Sequence, residues 1–169
     1  GTTNIVTRLL GNGLGDAKGS HVNIERFMRT RLFEAIGMQA QPKFDAAGTF
    51  VGSSYVFATA RDFAKFGLLY LHDGVCNGVR ILPEGWVDHA RKQHVFDELT
   101  GLGYGAHWWT LPGERNSLVA AGYEGQYIMV IPDRDLVVVR LGKTVAELRN
   151  TVVAELRGVI EQFPVIGER

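Results

Sequence analysis

At 169 residues, with 46% hydrophobic and 21% charged side chains, the chain has the composition of an ordinary globular protein, which excludes disordered and fibrous classes. Eighteen Lys and Arg balance eighteen Asp and Glu, so no basic footprint favours nucleic acid or an anionic membrane surface as a partner. The single Cys76 excludes an internal disulfide and a cysteine-built metal site and leaves the redox compartment open, and no apolar run approaches the ~20 residues of a membrane span.

The N-terminus lacks an initiator Met and a signal-peptide layout, and reads as the middle of a longer protein. Thr3 or Asn4 can cap a short helix carrying Ile5, Val6, Leu9 and Leu10, which Gly11-Asn12-Gly13 is expected to stop. Val22, Ile24, Phe27, Met28, Leu32, Phe33 and Ile36 fall at helical spacing, and Gly37 closes that helix. The stretch from Gln39 to Ser54 reads as a long connection. Thr59-Ala60-Arg61-Asp62 has the form of a capping box with Asp in place of Glu, ahead of an apolar face of Phe63, Phe66, Leu69 and Tyr70. Gly74 and Gly78 bracket a small hairpin over Val75 to Leu82, and Pro83 is expected at the first position of a helix ending near Lys92. Beyond residue 100 the pattern turns to strands. Ala106 to Leu111 forms one, and two β-branched runs, Gln126 to Ile131 and Leu136 to Leu141, flank the turn Pro132-Asp133-Arg134-Asp135. The second run is almost continuously apolar, as in a strand covered on both faces. Val145, Leu148, Val152, Leu156, Val159 and Phe163 then predict a C-terminal helix laid on the sheet. Helices, strands and a last helix make the fold class α+β.

Chemistry is less legible. His21, His72, His89, His94 and His107 are scattered without ligand spacing, so no metal site is read from them. Glu124, between Gly122-Tyr123 and Gly125, is either a general base or a solvated turn carboxylate; Tyr55, Tyr104 and Tyr123 are either pocket walls or rim and core aromatics. The chain contains neither G-x-S-x-G nor S-x-x-K, so no nucleophile declares itself.

Four motifs occur in a telling order: Gly1-Thr2-Thr3-Asn4-Ile5; Gly52-Ser53-Ser54-Tyr55 followed by the run from Ala58 to Gly67, ATARDFAKFG; the run from Gly78 to Trp86, GVRILPEGW; and Gly122-Tyr123-Glu124-Gly125-Gln126. Together they resemble the C-terminal half of the penicillin-recognising serine hydrolases: class C β-lactamases, D-alanyl-D-alanine carboxypeptidases, and related esterases and 6-aminohexanoate-dimer hydrolases. The resemblance covers nearly the whole chain. It implies a partial β-lactamase/transpeptidase-like α+β fold, with residues 1–100 in the helical region and 101–169 supplying three strands and a covering helix, one structural domain without its N-terminal half. In such enzymes the Ser of S-x-x-K attacks an ester or amide carbonyl and passes through an acyl-enzyme, with Lys and a Tyr moving protons. By the resemblance all three lie upstream of Gly1.

The family's K-T-G element would fall on Ala120-Ala121-Gly122, where only the Gly matches, so the groups that would bind a β-lactam carboxylate are missing. The resemblance makes Tyr123 an oxyanion donor through its backbone amide, with Gly122, Glu124, Gly125, Gln126 and Tyr55 around the substrate pocket. It implies no metal and no cofactor. The expected partners are the missing N-terminal half or a second copy paired through the last strand, with a small ester or amide as substrate of the intact protein. The competing reading is a non-catalytic pseudo-enzyme or interaction fragment.

Overall fold

The computed structural model describes residues 2–98 and 101–166. Gly1, the first residue of the first motif, lies outside them. The chain divides into a unit ending at Asp62 and a unit starting at Phe63.

In the first unit, α1 (Thr2–Gly13) ends at the expected Gly11-Asn12-Gly13, taking these in as its last three residues. Gly11 is buried, and a Cβ on it would lie 3.7 Å from Asp16 Oδ2; the left-handed residue that ends the segment is Gly15, φ 85°. Neither Thr3 nor Asn4 is the cap. Asn4 Oδ1 instead accepts from the Ser53 N–H (3.2 Å), and the predicted apolar residues Ile5, Val6, Leu9 and Leu10 are exposed. The second helix is α-helical as α2 (Val22–Met28), continues as a π turn over Arg29–Phe33, and closes at Gly37, φ 66°. Asp16 caps α2 from outside, accepting from the N–H groups of Asn23 and Ile24 at 2.9 Å each. Partial burial alone would raise its pKa, but these bonds, with help from Ser20 and His21, hold the carboxyl below its ordinary value. The predicted connection from Gln39 to Ser54 is in part sheet: β1 (Ala40–Pro42) pairs antiparallel with β2 (Val56–Ala58), and Phe44 bridges Phe50 between them.

The capping box that opens α3 (Ala60–Leu71) forms as read. Thr59 Oγ1 accepts from the Asp62 N–H (3.1 Å) and donates to Asp62 Oδ2 (2.6 Å), while Asp62 Oδ1 accepts from the Gln39 N–H.

In the second unit, β3 (Val75–Cys76) and β4 (Val79–Arg80) form the small hairpin, turned by Asn77 and Gly78 at φ 49° and 77°. Helix α4 (Trp86–Arg91) starts later than expected, because Gly85 takes the left-handed conformation ahead of it and leaves Pro83 in the preceding turn. Among the described residues the sheet has six antiparallel strands, not three. Its order is β10-β9-β8-β7-β6-β5, comprising β5 (Val95–Asp97), β6 (Leu102–Tyr104), β7 (Trp109–Thr110), β8 (Leu118–Ala121), β9 (Tyr127–Ile131) and β10 (Leu136–Arg140). The expected strand over Ala106 to Leu111 shrinks to two residues, since His107 adopts φ 64° in a turn.

Strand β9 explains the sheet's apolar sequence. Tyr127, Met129 and Ile131 join a core with Val152, Leu156 and Ile160 of the last helix, and Val130 joins a second core with Tyr70, Val87 and Trp108. Every residue of β9 is buried. Strand β10 also meets both cores, Leu136 and Val138 the first and Val137 the second, yet as the end strand of the sheet it stays half-buried throughout. Helix α5 (Arg149–Ile160) covers the sheet with Val152, Leu156 and Ile160. A 3-10 turn over Ala146–Leu148 precedes it and changes the phase, so Val145, Leu148, Val159 and Phe163 of the predicted stripe are exposed.

Candidate active site

Residues 122–126 form the connection between β8 and β9, closed by the Gly122 N–H donating to the Gln126 carbonyl at 2.7 Å. Glu124 and Gly125 are successive left-handed residues, φ 56° and 81°, as the two flanking glycines suggested. Gly122 has an ordinary φ but little room, because a Cβ on it would lie 3.1 Å from Gln126 Cβ. Tyr123 stands at the tip with its side chain 74% exposed. Glu124 is half-buried and its carboxylate lies 3.7 Å from Lys143 Nζ.

The loop is held from the segment that follows β10. The Thr144 N–H donates to the Glu124 carbonyl at 2.8 Å. Arg140 Nη1 donates to the carbonyls of Gly125 and Gly142. The Gln126 amide pairs with the Gly142 backbone in both directions, accepting from its N–H (2.9 Å) and donating to its carbonyl (2.8 Å). Thr144 is 6% exposed, and its Oγ1 is buried without a hydrogen-bond partner among the described residues. Reading the sequence from its motifs misses Arg140, Gly142 and Thr144: a cation ending an apolar strand gives no sign that its partners are two carbonyls, one fifteen residues earlier and one two residues later.

Tyr55 belongs to the first unit. It is exposed, takes φ 63°, accepts from the Lys43 N–H through its carbonyl (3.0 Å), and lies with its ring 6.3 Å from that of Phe57. A left-handed tyrosine costs on the order of 1 kcal/mol or more, a strain found most often at functional positions. Tyr104 packs on Trp109 with centroids 4.6 Å apart, a position in the sheet. His21 is stacked on Phe44 and lies 3.8 Å from Glu25; His89 lies beside Trp86. Among the described residues no three His, Cys, Asp or Glu side chains converge on a position suited to a metal ion, and none of the helices is long and apolar enough to cross a membrane.

No protein-family model matches the chain. It is 28% identical over 137 residues to a 6-aminohexanoate-dimer hydrolase of Paenarthrobacter ureafaciens, an alignment covering 70% of this chain and 35% of that protein. Its fold matches a solved protein of Bacillus anthracis described as a 6-aminohexanoate-dimer hydrolase, with a TM-score of 0.64 and 24% identity over 81% of this chain and 38% of the other. A protein of Bacteroides dorei described as a β-lactamase aligns at a TM-score of 0.41 and 14% identity, over 80% of this chain and 53% of its own. The chain therefore spans about a third of the length of the curated relative it matches. That sequence likeness and the shared fold support a relationship to the penicillin-recognising serine hydrolases, and the partial coverage fits a C-terminal part of such a protein.

Proposed function

We propose that the whole protein is a serine hydrolase that cleaves an ester or amide through an acyl-enzyme, with the nucleophilic Ser and its Lys outside the 169 residues described above. Tyr123 contributes its backbone N–H to the oxyanion hole, and Gly122, Glu124, Gly125 and Gln126 line the substrate pocket. The observation that carries this reading is the Tyr123 tip itself: a backbone held by closing and anchoring hydrogen bonds at the end of β8, with its side chain turned to solvent. Fixed donors of this kind stabilise charge that develops during acyl transfer, and a backbone donor needs no particular side chain. The name of the sequence relative suggests a linear amide as the substrate class.

A fluorophosphonate probe should label the whole protein on one serine and leave the 169-residue chain, including Ser53 and Ser54, unlabelled. Gly122→Val should lower kcat/KM about a hundredfold or more, because its branched side chain presses on Gln126 and moves the amide. Tyr123→Ala should alter substrate preference and cost less than about tenfold in turnover. Equal losses in the two variants would refute the assignment. The competing reading is a non-catalytic pseudo-enzyme or interaction fragment, and failure of the probe to label the whole protein would favour it. In either reading β10, as the end strand of the sheet, pairs with a strand from the rest of the protein or from a second copy.

A further inference from the structure

The tip of the 122–126 loop does not hold itself. Two successive left-handed residues, one of them a glutamate, form a conformation that a free chain seldom adopts. Apart from the single closing bond between Gly122 and Gln126, every hydrogen bond described for the loop comes from residues 140–144. Arg140 stands at their centre. Its guanidinium donates to two carbonyls, Gly125 on the loop and Gly142 on its own segment, and among the described residues it meets no carboxylate. Its placement is closely fitted. A Cβ on Gly142 would lie 3.2 Å from Arg140 Nη2, and a Cβ on Gly125 would lie 3.1 Å from Arg140 Nη1 and 3.0 Å from Thr144 Oγ1.

We propose that Arg140, together with Gln126, is the positioning residue of this loop: by tying the Gly125 carbonyl and residue 126 to Gly142, it sets the direction in which the Tyr123 N–H points. The inference rests on the reading of Tyr123 as oxyanion donor for its importance, but the clamp itself is a statement about Arg140 and the loop. A planar guanidinium bridges two carbonyls in a fixed geometry, whereas an ammonium on a flexible stem does not, so lysine is only a partial substitute.

Amide hydrogen exchange on the whole protein tests the clamp without recourse to activity. Arg140→Gln should raise exchange across residues 123–125 by about tenfold or more, the loss of one to two charge-assisted bonds, while the β9 amides of Met129 and Val130 stay protected. Arg140→Lys should fall between, and Gln126→Leu should act in the same direction as Arg140→Gln. If Arg140→Gln also strips protection from Met129 and Val130, it has unfolded the sheet and Gln126→Leu alone decides. Unchanged exchange at 123–125 in a folded Arg140→Gln protein, or in Gln126→Leu, would overturn the proposal. Kinetics on a nitrophenyl ester then read the second link: kcat should fall in Arg140→Gln with KM nearly unchanged and recover partly in Arg140→Lys. A loosened loop with unaltered kcat would overturn the oxyanion role of Tyr123 and leave the clamp standing.

Discussion

Helix α3 meets the sheet at a glycine, and that contact yields a sharp test of the packing. A Cβ placed on Gly67 would lie 2.6 Å from Val137 Cγ1 and 3.2 Å from Ile128 Cγ2, well inside van der Waals contact. Val137 is β-branched with one stiff rotamer, so it relieves the overlap only by moving backbone, and overpacking of this kind costs about 1–3 kcal/mol. Against this, alanine is favoured over glycine inside a helix by about 1 kcal/mol. Gly67→Ala should therefore destabilise by up to about 2 kcal/mol net, lowering the melting temperature of a domain of this size by up to about 8 °C. Urea unfolding followed by circular dichroism measures the loss. Val137→Ala, which removes half-buried methyl groups, should cost about 1–2 kcal/mol alone, and the double variant should cost at least about 1 kcal/mol less than the sum of the two. A Gly67→Ala protein more stable than the parent by the full helix-propensity gain, or strictly additive losses, would show that helix and sheet do not touch there as described.

Ser117 is 1% exposed, and its Oγ accepts from the Leu111 N–H at 2.8 Å; Ser117→Ala leaves that N–H buried and unpaired, and should lower stability by about 1–3 kcal/mol in urea melts. Asp16 is held below its unfolded pKa, so it contributes stability above that value and loses it as the pH falls through its folded pKa; the gap in stability between parent and Asp16→Ala should be widest near neutrality and close below about pH 4, and a gap that widens in acid would refute the capping role. The half-buried edge of β10 should make the 169-residue chain, by itself, dimerise or aggregate, with Val137 to Val139 protected from hydrogen exchange only when paired; a monomer by light scattering at low micromolar concentration, with one cooperative transition, would show the edge needs no partner.

Local chemistry was the most legible layer of the sequence. Thr59 and Asp62 declare their cap because the bonds involved lie within one turn, and Gly37 and Gly78 declare their turns because left-handed backbone has few other occupants. The Gln126 to Leu141 hairpin is readable for a similar reason, its two apolar runs being joined by a proline turn. What escaped notice depends on neighbours distant in sequence. Gly103 sits in β6, where a Cβ would lie 2.4 Å from both Gln93 Oε1 and Thr110 Oγ1, so side chains distant in sequence occupy the space and require glycine there. The apolar residues of α1 follow helical spacing and still face outward. At the candidate site the glycines and Tyr123 were visible in the Gly122 to Gln126 motif, whereas the anchors Arg140, Gly142 and Thr144 act through backbone groups that leave no mark on composition or periodicity.

Those anchors have a consequence for how such a site changes over generations. Residues 124 and 125 are gripped by their main chain: the Glu124 carbonyl by Thr144, the Gly125 carbonyl by Arg140. The side chain at position 123 points into solvent and contributes nothing to that grip. Position 123 is thus a place where selection, or a combinatorial library, can exchange one side chain for another, resurfacing the mouth of the site while the amide beneath keeps its bearing. Position 125 has no such freedom, since any Cβ there would press on Arg140 and Thr144. Variety in what the site accepts should accumulate at the first of these positions and be refused at the second.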